Sequence, residues 1–282
     1  MRVVAYLGPE NTNTHLAAKA RFGSRGTYVH APTVDDVFDL VEREKADFGV
    51  VPIENSLEGA VTHTLDRFID FKRSPSQIVG EFEFPIQHYF ITQPTVRPAE
   101  VEAVHSHPQA LAQCRQWIES HLPKRIWLIE TNSTSEAVQF VAQHTLRTGG
   151  RFIKHVAAIG HQEAARAYRL KALPIPNERE NKTRFLIIGL GSPPPGRRNK
   201  TSLLFAVKDR PGALYDALTP FKRERINLTK IESRPSKQKA WEYYFFIDFE
   251  GHESEPRVTR ALKALKDCTT VLRVLGSYPV TT

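Results

Sequence analysis

Four short polar segments stand where apolar, strand-like runs end or where helical patterns begin: residues 8–14, 52–56, 132–134 and 181–185. A helix N-terminus presents unpaired backbone N–H groups and the positive end of the helix dipole, so hydroxyl and amide side chains placed there favour anion binding. Taken alone, each segment is typical of a helix cap, and Ser133 followed by Glu136 is a good capping box. Four of them in one chain favour a cleft for an anionic ligand.

The elements that must position these segments alternate along the chain. Apolar runs at residues 3–7, 48–53, 126–130, 156–160 and 184–189 predict strands, and the stretches between them carry amphipathic helical patterns, one of which begins at Pro108. Such alternation is typical of βαβ units, whose sites lie at the carboxyl ends of parallel strands. We therefore expect an α/β fold with the polar segments at one edge of a sheet.

A change of composition divides the chain at GLGSPPPGRRNK, residues 189–200. Its Gly-x-Gly start resembles a phosphate loop, but three consecutive prolines have no N–H groups with which to bind phosphate. We predict a linker at residues 191–200. Residues 201–282 then show the order βαββαβ, which is the ferredoxin-like arrangement.

Length and composition exclude several classes of protein. The 282 residues are 40% hydrophobic and 25% charged, which is ordinary for a globular chain of about two domains. No apolar run approaches the ~18 residues that a membrane span needs, and the first apolar run is too short for a secretory signal. Two distant cysteines, Cys114 and Cys268, fit a reducing compartment, so we expect a cytoplasmic protein.

The net charge of +8 raises the question of nucleic acid binding. Residues 1–196 carry 22 basic and 21 acidic side chains, so the excess lies in residues 197–200 and in residues 201–282, which carry 14 basic against 10 acidic side chains. Phosphate recognition needs clustered positive charge. The distribution favours neither a nucleic acid partner nor a membrane partner.

The polar segments belong to longer stretches that resemble, in order and spacing, the motif series of the prephenate dehydratase family. These stretches are YLGPENTNTHLAA, VVPIENSLEGAVTHTLD, SHPQALAQCRQW, NSTSEA, VAAIGHQEAARAYRL and NKTRFLIIG. The C-terminal part resembles that family's regulatory ACT domain, in which DRPGALYDAL and KIESRPSK look like the two phenylalanine-binding motifs. The resemblance covers nearly the whole chain.

The resemblance implies a two-lobed, periplasmic-binding-protein-like catalytic domain with a central cleft, followed by a ferredoxin-like ACT domain. The expected boundaries are residues 1–190 for the catalytic domain (lobe one about 1–78 and 175–190, lobe two about 79–174), 191–200 for the linker and 201–282 for the ACT domain. Because the motif series starts near residue 3, we expect a monofunctional enzyme without a chorismate mutase domain.

The implied activity is the conversion of prephenate to phenylpyruvate, water and CO₂ in phenylalanine biosynthesis, with feedback by L-phenylalanine. The resemblance implies no metal and no organic cofactor, and it implies a homodimer or homotetramer formed through the ACT domains. Two other functions remain open: dehydration of arogenate, the transaminated analogue, and a non-catalytic, amino-acid-sensing protein that only binds its ligand.

Site residues follow from the motifs by analogy. Thr183, Arg184 and Phe185 form the catalytic motif, in which Thr183 assists the leaving hydroxyl, Arg184 either binds a substrate carboxylate or forms a structural ion pair, and Phe185 packs against the substrate ring or the cleft wall. The resemblance assigns the binding of substrate oxygens to Thr12, Asn55, Ser56, Ser133 and Thr134. Phenylalanine is assigned to Gly212, Ala213, Leu214, Glu232, Ser233, Arg234 and Pro235, although Gly212 also suits a simple helix entry and Arg234 a surface ion pair.

Two positions depart from the family pattern. Asn11-Thr12-Asn13 stands where the family commonly has Gly-Thr-Phe, and the turn survives if Asn11 adopts a left-handed backbone conformation. His161 replaces the usual small residue after Ala-Ala-Ile-Gly, and we expect it to cap a helix or to be exposed.

Other chemically active residue types have simpler explanations. Cys114 lies on the apolar stripe of its predicted helix and Cys268 near the end of another, so we expect both to be inert packing residues. His105 and His107 have the spacing of a ligand pair, but no further ligands follow at suitable spacing. The sequence therefore predicts no metal site.

Overall fold

Two structural units are formed by interleaved segments of the chain in the computed structural model, which describes residues 2–23, 25–69, 75–143, 146–148, 151–153, 155–177, 179–237 and 241–280. The first unit comprises Met1–Leu7, Arg21–Glu83 and Arg184–Thr282, and the second comprises Gly8–Ala20 and Phe84–Thr183. Within the described ranges, no helix is long and apolar enough to cross a membrane.

The strands and helices follow the predicted alternation. In chain order the strands are β1 Val3–Leu7, β2 Thr27–Ala31, β3 Phe48–Asn55, β4 Gly59–Ala60, β5 Gln77–Pro85, β6 Tyr89–Thr92, β7 Ala103–Ser106, β8 Trp127–Glu130, β9 Leu146–Thr148, β10 Arg151–Ile153, β11 Val156–Gly160, β12 Lys171–Pro174, β13 Lys182–Gly189, β14 Asn199–Ala206, β15 Leu228–Pro235, β16 Tyr243–Glu250 and β17 Val271–Pro279. The helices are α1 Asn13–Phe22, α2 Val34–Glu42, α3 Thr62–Ile69, α4 Pro108–Gln113, α5 Arg115–His121, α6 Thr134–Ala142, α7 Gln162–Ala167, α8 Ala213–Arg223 and α9 Pro256–Cys268.

Outside its C-terminal part, the first unit is built on a sheet with the strand order β2-β1-β3-β13-β5, in which β1 is parallel to both β2 and β3. Because this sheet belongs to the expected catalytic domain, we call it the catalytic sheet. Helix α2 packs its buried apolar face, which includes Val37, Phe38 and Val41, against this sheet. Its N-terminus carries a capping box, because the Thr33 hydroxyl accepts from the backbone N–H of Asp36 and the Asp36 carboxylate accepts from that of Thr33.

The second unit contains a five-stranded sheet with the order β12-β6-β11-β7-β8. Strands β7, β8, β11 and β12 run in the same direction, whereas β6, between β12 and β11, runs against them. The central strand β11 is buried along its whole length. The single helix predicted from Pro108 is instead two short helices, α4 and α5, joined at buried Cys114, whose φ of −96° and ψ of 6° interrupt the helix.

The two units do not coincide with the predicted lobes, whose boundaries near residues 79 and 174 stay predictions. The second unit begins at Phe84, although strand β5 stays in the first sheet as far as Pro85. On the return, the second unit keeps the chain as far as Thr183. It also includes Gly8–Ala20, which the prediction placed in lobe one.

The C-terminal part of the first unit has the predicted βαββαβ order, formed by β14, α8, β15, β16, α9 and β17. Its antiparallel sheet has the order β15-β16-β14-β17. Helices α8 and α9 bury apolar side chains such as Phe221 and Leu265 against one face. The opposite face contributes Leu204, Phe246 and Tyr278 to the core of the catalytic sheet, so the two sheets of this unit share one hydrophobic core.

Substitution of Gly276 should weaken this shared core. A Cβ at Gly276 would lie 2.1 Å from the carbonyl oxygen of Ile78, so Gly276→Ala must displace backbone. We expect a loss of ~1–3 kcal/mol in the free energy of unfolding, measured by urea denaturation. Gly80→Ala is the control, because its Cβ would meet only the Ile187 side chain at 3.2 Å. Equal stability of the Gly276→Ala and wild-type proteins would contradict this close packing.

A buried histidine in the second unit should make stability depend on pH. His105 on β7 stacks on Phe140 at 4.4 Å between ring centroids, and burial lowers its pKa to about 4. Below the ordinary histidine pKa of ~6.5 the unfolded chain takes up a proton that the folded chain refuses, so stability falls as the pH drops from about 6.5 towards 4.

Replacing His105 with Leu should remove roughly 1–2 kcal/mol of the stability difference between pH 7 and pH 5, as measured by urea denaturation at both values. Exposed His30→Leu controls for the loss of one imidazole. An unchanged pH dependence in His105→Leu would show that this imidazole is not held neutral by burial.

Candidate active site

In the first unit, the carboxyl end of β3 leads directly into two predicted substrate-binding residues. The side-chain oxygen of Asn55 accepts hydrogen bonds from the backbone N–H groups of Leu57, at 2.9 Å, and Glu58, at 3.2 Å. These bonds fix a turn after the strand, and Ser56 at the turn is exposed. The local sequence Glu54-Asn55-Ser56 therefore presents polar groups at the carboxyl end of a strand, as predicted.

Arg184 forms ion pairs in the first unit. Its guanidinium lies 3.2 Å from an oxygen of Glu54 and 3.5 Å from an oxygen of Glu83. Burial works against the charge, but neighbouring carboxylates, foremost Glu81 and Glu54, outweigh it and raise the pKa of Arg184 above its ordinary value. This geometry favours the structural ion pair over a direct bond to the substrate.

The other two members of the predicted catalytic motif flank Arg184 on β13. Thr183 is 9% exposed and is the last residue of the second unit. Phe185 has no exposed surface, and its ring stacks on Phe82 at 5.6 Å between centroids. Phe185 therefore packs inside the first unit against Phe82, and its assignment to the catalytic motif stays a prediction.

In the second unit, predicted substrate residues lie at the carboxyl edge of the sheet. Ser133 follows β8 and caps α6, because its hydroxyl oxygen accepts from the backbone N–H of Glu136 at 3.0 Å. Thr134 is the first residue of α6 and is 9% exposed. Capping and ligand binding are compatible here, because the helix N-terminus still presents N–H groups.

The Thr12 loop precedes α1 and also belongs to the second unit. Asn11 adopts the left-handed conformation with φ of 61°, so the departure from glycine preserves the turn as predicted. The Thr12 hydroxyl donates to the carbonyl oxygen of Pro9 at 3.0 Å, and the backbone N–H of Asn11 donates to the ring of His15 at 2.8 Å. The loop is thus fixed by its own side chains.

A hydrogen-bond network that the sequence did not reveal holds the chain just before Thr183. The side-chain oxygen of Gln113 contacts a ring nitrogen of His88 at 2.8 Å and accepts from the amide of Asn181 at 2.9 Å. The carbonyl oxygen of Asn181 accepts from the backbone N–H of Ile86 at 2.8 Å. Gln113 and Asn181 lie within the stretches SHPQALAQC and NKTRF, so their presence in two motifs was the signal available.

His161 corrects another expectation, since it is neither exposed nor a side-chain cap. It occupies the N-cap position of α7 without a capping hydrogen bond and is 5% exposed. Its ring lies 6.5 Å from that of His88. Burial, with a smaller contribution from His88, lowers the pKa of His161 to about 4, so the imidazole is neutral at pH 7.

The residues predicted to bind phenylalanine are divided between two places in the C-terminal domain. Gly212 precedes α8 with φ of 77°, which suits glycine, and Ala213 and Leu214 form the first turn of the helix. The remaining four, Glu232 to Pro235, lie on β15, where Glu232 and Arg234 are partly buried and Ser233 and Pro235 are exposed on the opposite face.

Arg234 is engaged within its own chain. Its guanidinium contacts Asp66 of α3 at 3.1–3.3 Å, and Lys237 contacts the same carboxylate at 2.7 Å. Burial acts in the opposite direction, but the hydrogen bonds from Lys237 and Arg234 prevail and lower the pKa of Asp66. The ion-pair alternative for Arg234 is therefore what the structure shows.

A cavity of about 710 Å³ in the first unit lies beside this ion pair. Its lining includes Asp35, His63, Asp66, Arg67 and Lys237 but none of the predicted substrate residues. Arg67 lies 3.2 Å from Asp35 and 3.5 Å from Asp39, and Lys237 pairs with Asp66, so both of these basic side chains are engaged by carboxylates of the lining.

Residue types that serve other chemistries have structural roles. Cys114 is buried, and burial raises the pKa of its thiol to about 12, which removes the thiolate that a nucleophile requires. Over the ranges that the structure describes, no group of three or more metal-ligating side chains occurs.

Comparison with known proteins identifies the family. A model of the prephenate dehydratase family matches residues 4–192, and a model of the ACT domain matches residues 201–267. A bifunctional chorismate mutase/prephenate dehydratase from Aquifex aeolicus is 48% identical over 98% of this chain and 73% of its own. A prephenate dehydratase from Methanocaldococcus jannaschii is 38% identical over 99% of this chain and 98% of its own.

Solved structures show the same similarity. A prephenate dehydratase from Arthrobacter aurescens in complex with L-Phe has a TM-score of 0.85 and 30% identity, covering 98% of this chain and 89% of that chain. GqqA, described as a novel type of quorum quenching acylase, has a TM-score of 0.82 and 28% identity, covering 99% and 98%. The predicted fold class is confirmed as α/β, periplasmic-binding-protein-like, with a C-terminal ACT domain. The chain belongs to the prephenate dehydratase family of hydro-lyases.

Proposed function

We propose that this protein converts prephenate to phenylpyruvate, water and CO₂. The observation that carries the proposal is the position of Thr183 on β13, where it immediately precedes the ion-paired Arg184. Relatives that match over nearly the full length of this chain are prephenate dehydratases, which supports the assignment of this motif to the catalytic site.

The chemistry sets the requirements for the site. Prephenate is a dianion whose ring carboxylate leaves as CO₂ while the hydroxyl on the opposite ring carbon leaves as water. The hydroxyl needs a hydrogen-bond donor as the C–O bond breaks, and we assign this role to the Thr183 hydroxyl. Bonds to the ring carboxylate that are stronger in the ground state than in the transition state slow the reaction, so this carboxylate should be held weakly.

The pyruvyl carboxylate is better held by neutral donors than by Arg184, because Glu54 and Glu83 already pair with that guanidinium. We assign substrate oxygens to Thr12, Asn55, Ser56, Ser133 and Thr134. Each hydrogen bond to a carboxylate contributes about 1.5–3 kcal/mol, so several such bonds suffice for a dianion. The reaction as proposed uses no metal and no organic cofactor.

We further propose feedback regulation by L-phenylalanine through the ACT domain. The support is that an L-Phe complex is known for a structural relative 30% identical to this chain. A ligand that favours one arrangement of the ACT domains changes substrate affinity by its differential affinity for the two arrangements. We expect a cytoplasmic homodimer or homotetramer assembled through these domains.

Replacing Thr183 with Ala should abolish most prephenate turnover, because the leaving hydroxyl loses its hydrogen-bond donor. We expect a fall in kcat of about 100-fold or more, as is typical for loss of a proton-transfer group. Phenylpyruvate formation measures turnover, and Thr183→Ser, which keeps the hydroxyl, should retain most of it.

A parallel assay with arogenate, whose dehydration product is phenylalanine, shows which of the two substrates the protein converts. An N-acyl amino acid serves as a third test substrate, because the structural relative GqqA is described as an acylase. Turnover of prephenate by Thr183→Ala at the wild-type rate would contradict the catalytic assignment, whereas binding without turnover by the wild-type protein would favour the non-catalytic alternative.

Added L-phenylalanine should reduce prephenate turnover and should bind with an affinity that prephenate weakens, because coupling between two sites is reciprocal. The measurements are initial rates and calorimetric titration, with D-phenylalanine as the control ligand. Equal turnover with and without L-phenylalanine at saturating concentrations would contradict feedback through this domain.

A further inference from the structure

Strand β15 of the ACT domain points one row of charged side chains towards the catalytic part of the first unit. Along Leu228–Pro235 the residues alternate between partly buried and exposed, and the partly buried row contains Lys230, Glu232 and Arg234. Two of these three reach catalytic-domain carboxylates: Lys230 pairs with Glu54, and Arg234 with Asp66.

The Lys230 pair differs from the Arg234 pair in what lies beyond it. One oxygen of Glu54, Oε2, lies 3.2 Å from the Lys230 ammonium and 3.2 Å from the Arg184 guanidinium. A single carboxylate oxygen therefore joins an ACT-domain strand to the arginine of the catalytic motif. The Lys230 side chain is only 10% exposed, whereas that of Glu54 is 35% exposed, so the contact is shielded from solvent on the lysine side.

Glu54, which pairs with Lys230, and Arg184, which pairs with the same Glu54 oxygen, both adjoin predicted site residues. Glu54 precedes Asn55 and Ser56, and Arg184 follows Thr183. We propose that Lys230 is a positioning residue for catalysis: with Arg184 it holds the Glu54 carboxylate and so fixes the Asn55 turn and the Thr183–Arg184 segment. This inference rests on the proposed function, since it gives Thr183 and Asn55 their roles.

Charge balance gives the contact a second effect on an anionic substrate. Arg184 is surrounded by the carboxylates of Glu54, Glu81 and Glu83, and Lys230 supplies a further positive charge at Glu54. Removing the Lys230 charge leaves the surroundings of Asn55 more negative by one charge, which repels a dianion.

The same contact links the effector segment to the catalytic motif. Glu232 to Pro235 follow Lys230 on one strand, so a movement of β15 on phenylalanine binding changes the distance from Lys230 to Glu54. Allosteric coupling needs a physical element whose state both ligands influence, and the Lys230–Glu54–Arg184 contact is such an element.

The test compares charge variants of the intact protein. Lys230→Met keeps the length of the side chain but removes its charge, and Lys230→Arg restores the charge. We expect kcat/KM for prephenate to fall at least tenfold in Lys230→Met. The L-phenylalanine concentration that halves the rate should rise at least threefold in the same variant. Both values should return close to those of the wild-type protein in Lys230→Arg. Lys263→Met is the matched control, because it removes an exposed lysine of α9, which lies outside both motifs that resemble phenylalanine-binding sites.

A second variant keeps the test decisive if Lys230→Met folds poorly, as judged by its melting temperature. Glu54→Gln retains the shape of the acceptor, and the double variant Lys230→Met/Glu54→Gln should lose no more activity than the worse single variant. Wild-type kinetics in Lys230→Met, or fully additive losses in the double variant, would overturn the inference. Absence of prephenate turnover in the wild-type protein would instead overturn the proposed function, so the two failures are distinguishable.

Discussion

The shared core between the ACT sheet and the catalytic sheet is the constraint on which the first unit depends. Leu204, Phe246 and Tyr278 belong to the same apolar cluster as Leu186 on β13, so the ACT domain completes the hydrophobic core behind this strand. Such burial stabilises by roughly 25 cal/mol per Å² of apolar surface, and it requires the close backbone approach of Gly276 to Ile78.

The packing of this core determines which charged side chains at its edge lie close enough to pair. Lys200 pairs with Glu81, Lys230 with Glu54 and Arg234 with Asp66, each joining the ACT domain to the catalytic sheet or its helix. Through these pairs the ACT domain contacts β3, β5 and α3 beside the shared apolar core.

The sequence predicted the order of elements well because its periodicities are local. Residues 3–7 and 156–160 form strands as expected, and the left-handed turn at Asn11 follows from the tolerance of asparagine for positive φ. The unit boundaries at residues 84 and 183 could not be predicted as closely, because they depend on tertiary contacts and no composition change marks them.

The sequence allowed the site residues to be predicted only as residue types within motifs, without the contacts that hold them. Thr183 and Asn55 came from resemblance, whereas the partners that hold them depend on tertiary contacts. Gln113 and Asn181 are 68 positions apart, and Lys230 and Glu54 are 176 positions apart. No local pattern distinguishes Lys230 from other strand lysines, or a buried His161 from an exposed helix cap.

Thr183 and Lys230 have their proposed roles only if this chain carries out a decarboxylating dehydration. The purified full chain is incubated with prephenate in buffer containing a metal chelator, and CO₂ and phenylpyruvate are quantified together. We expect catalytic formation of the two products in a one-to-one ratio. Prephenate that is bound but recovered intact, or phenylpyruvate formed no faster than in buffer without the protein, would contradict this activity.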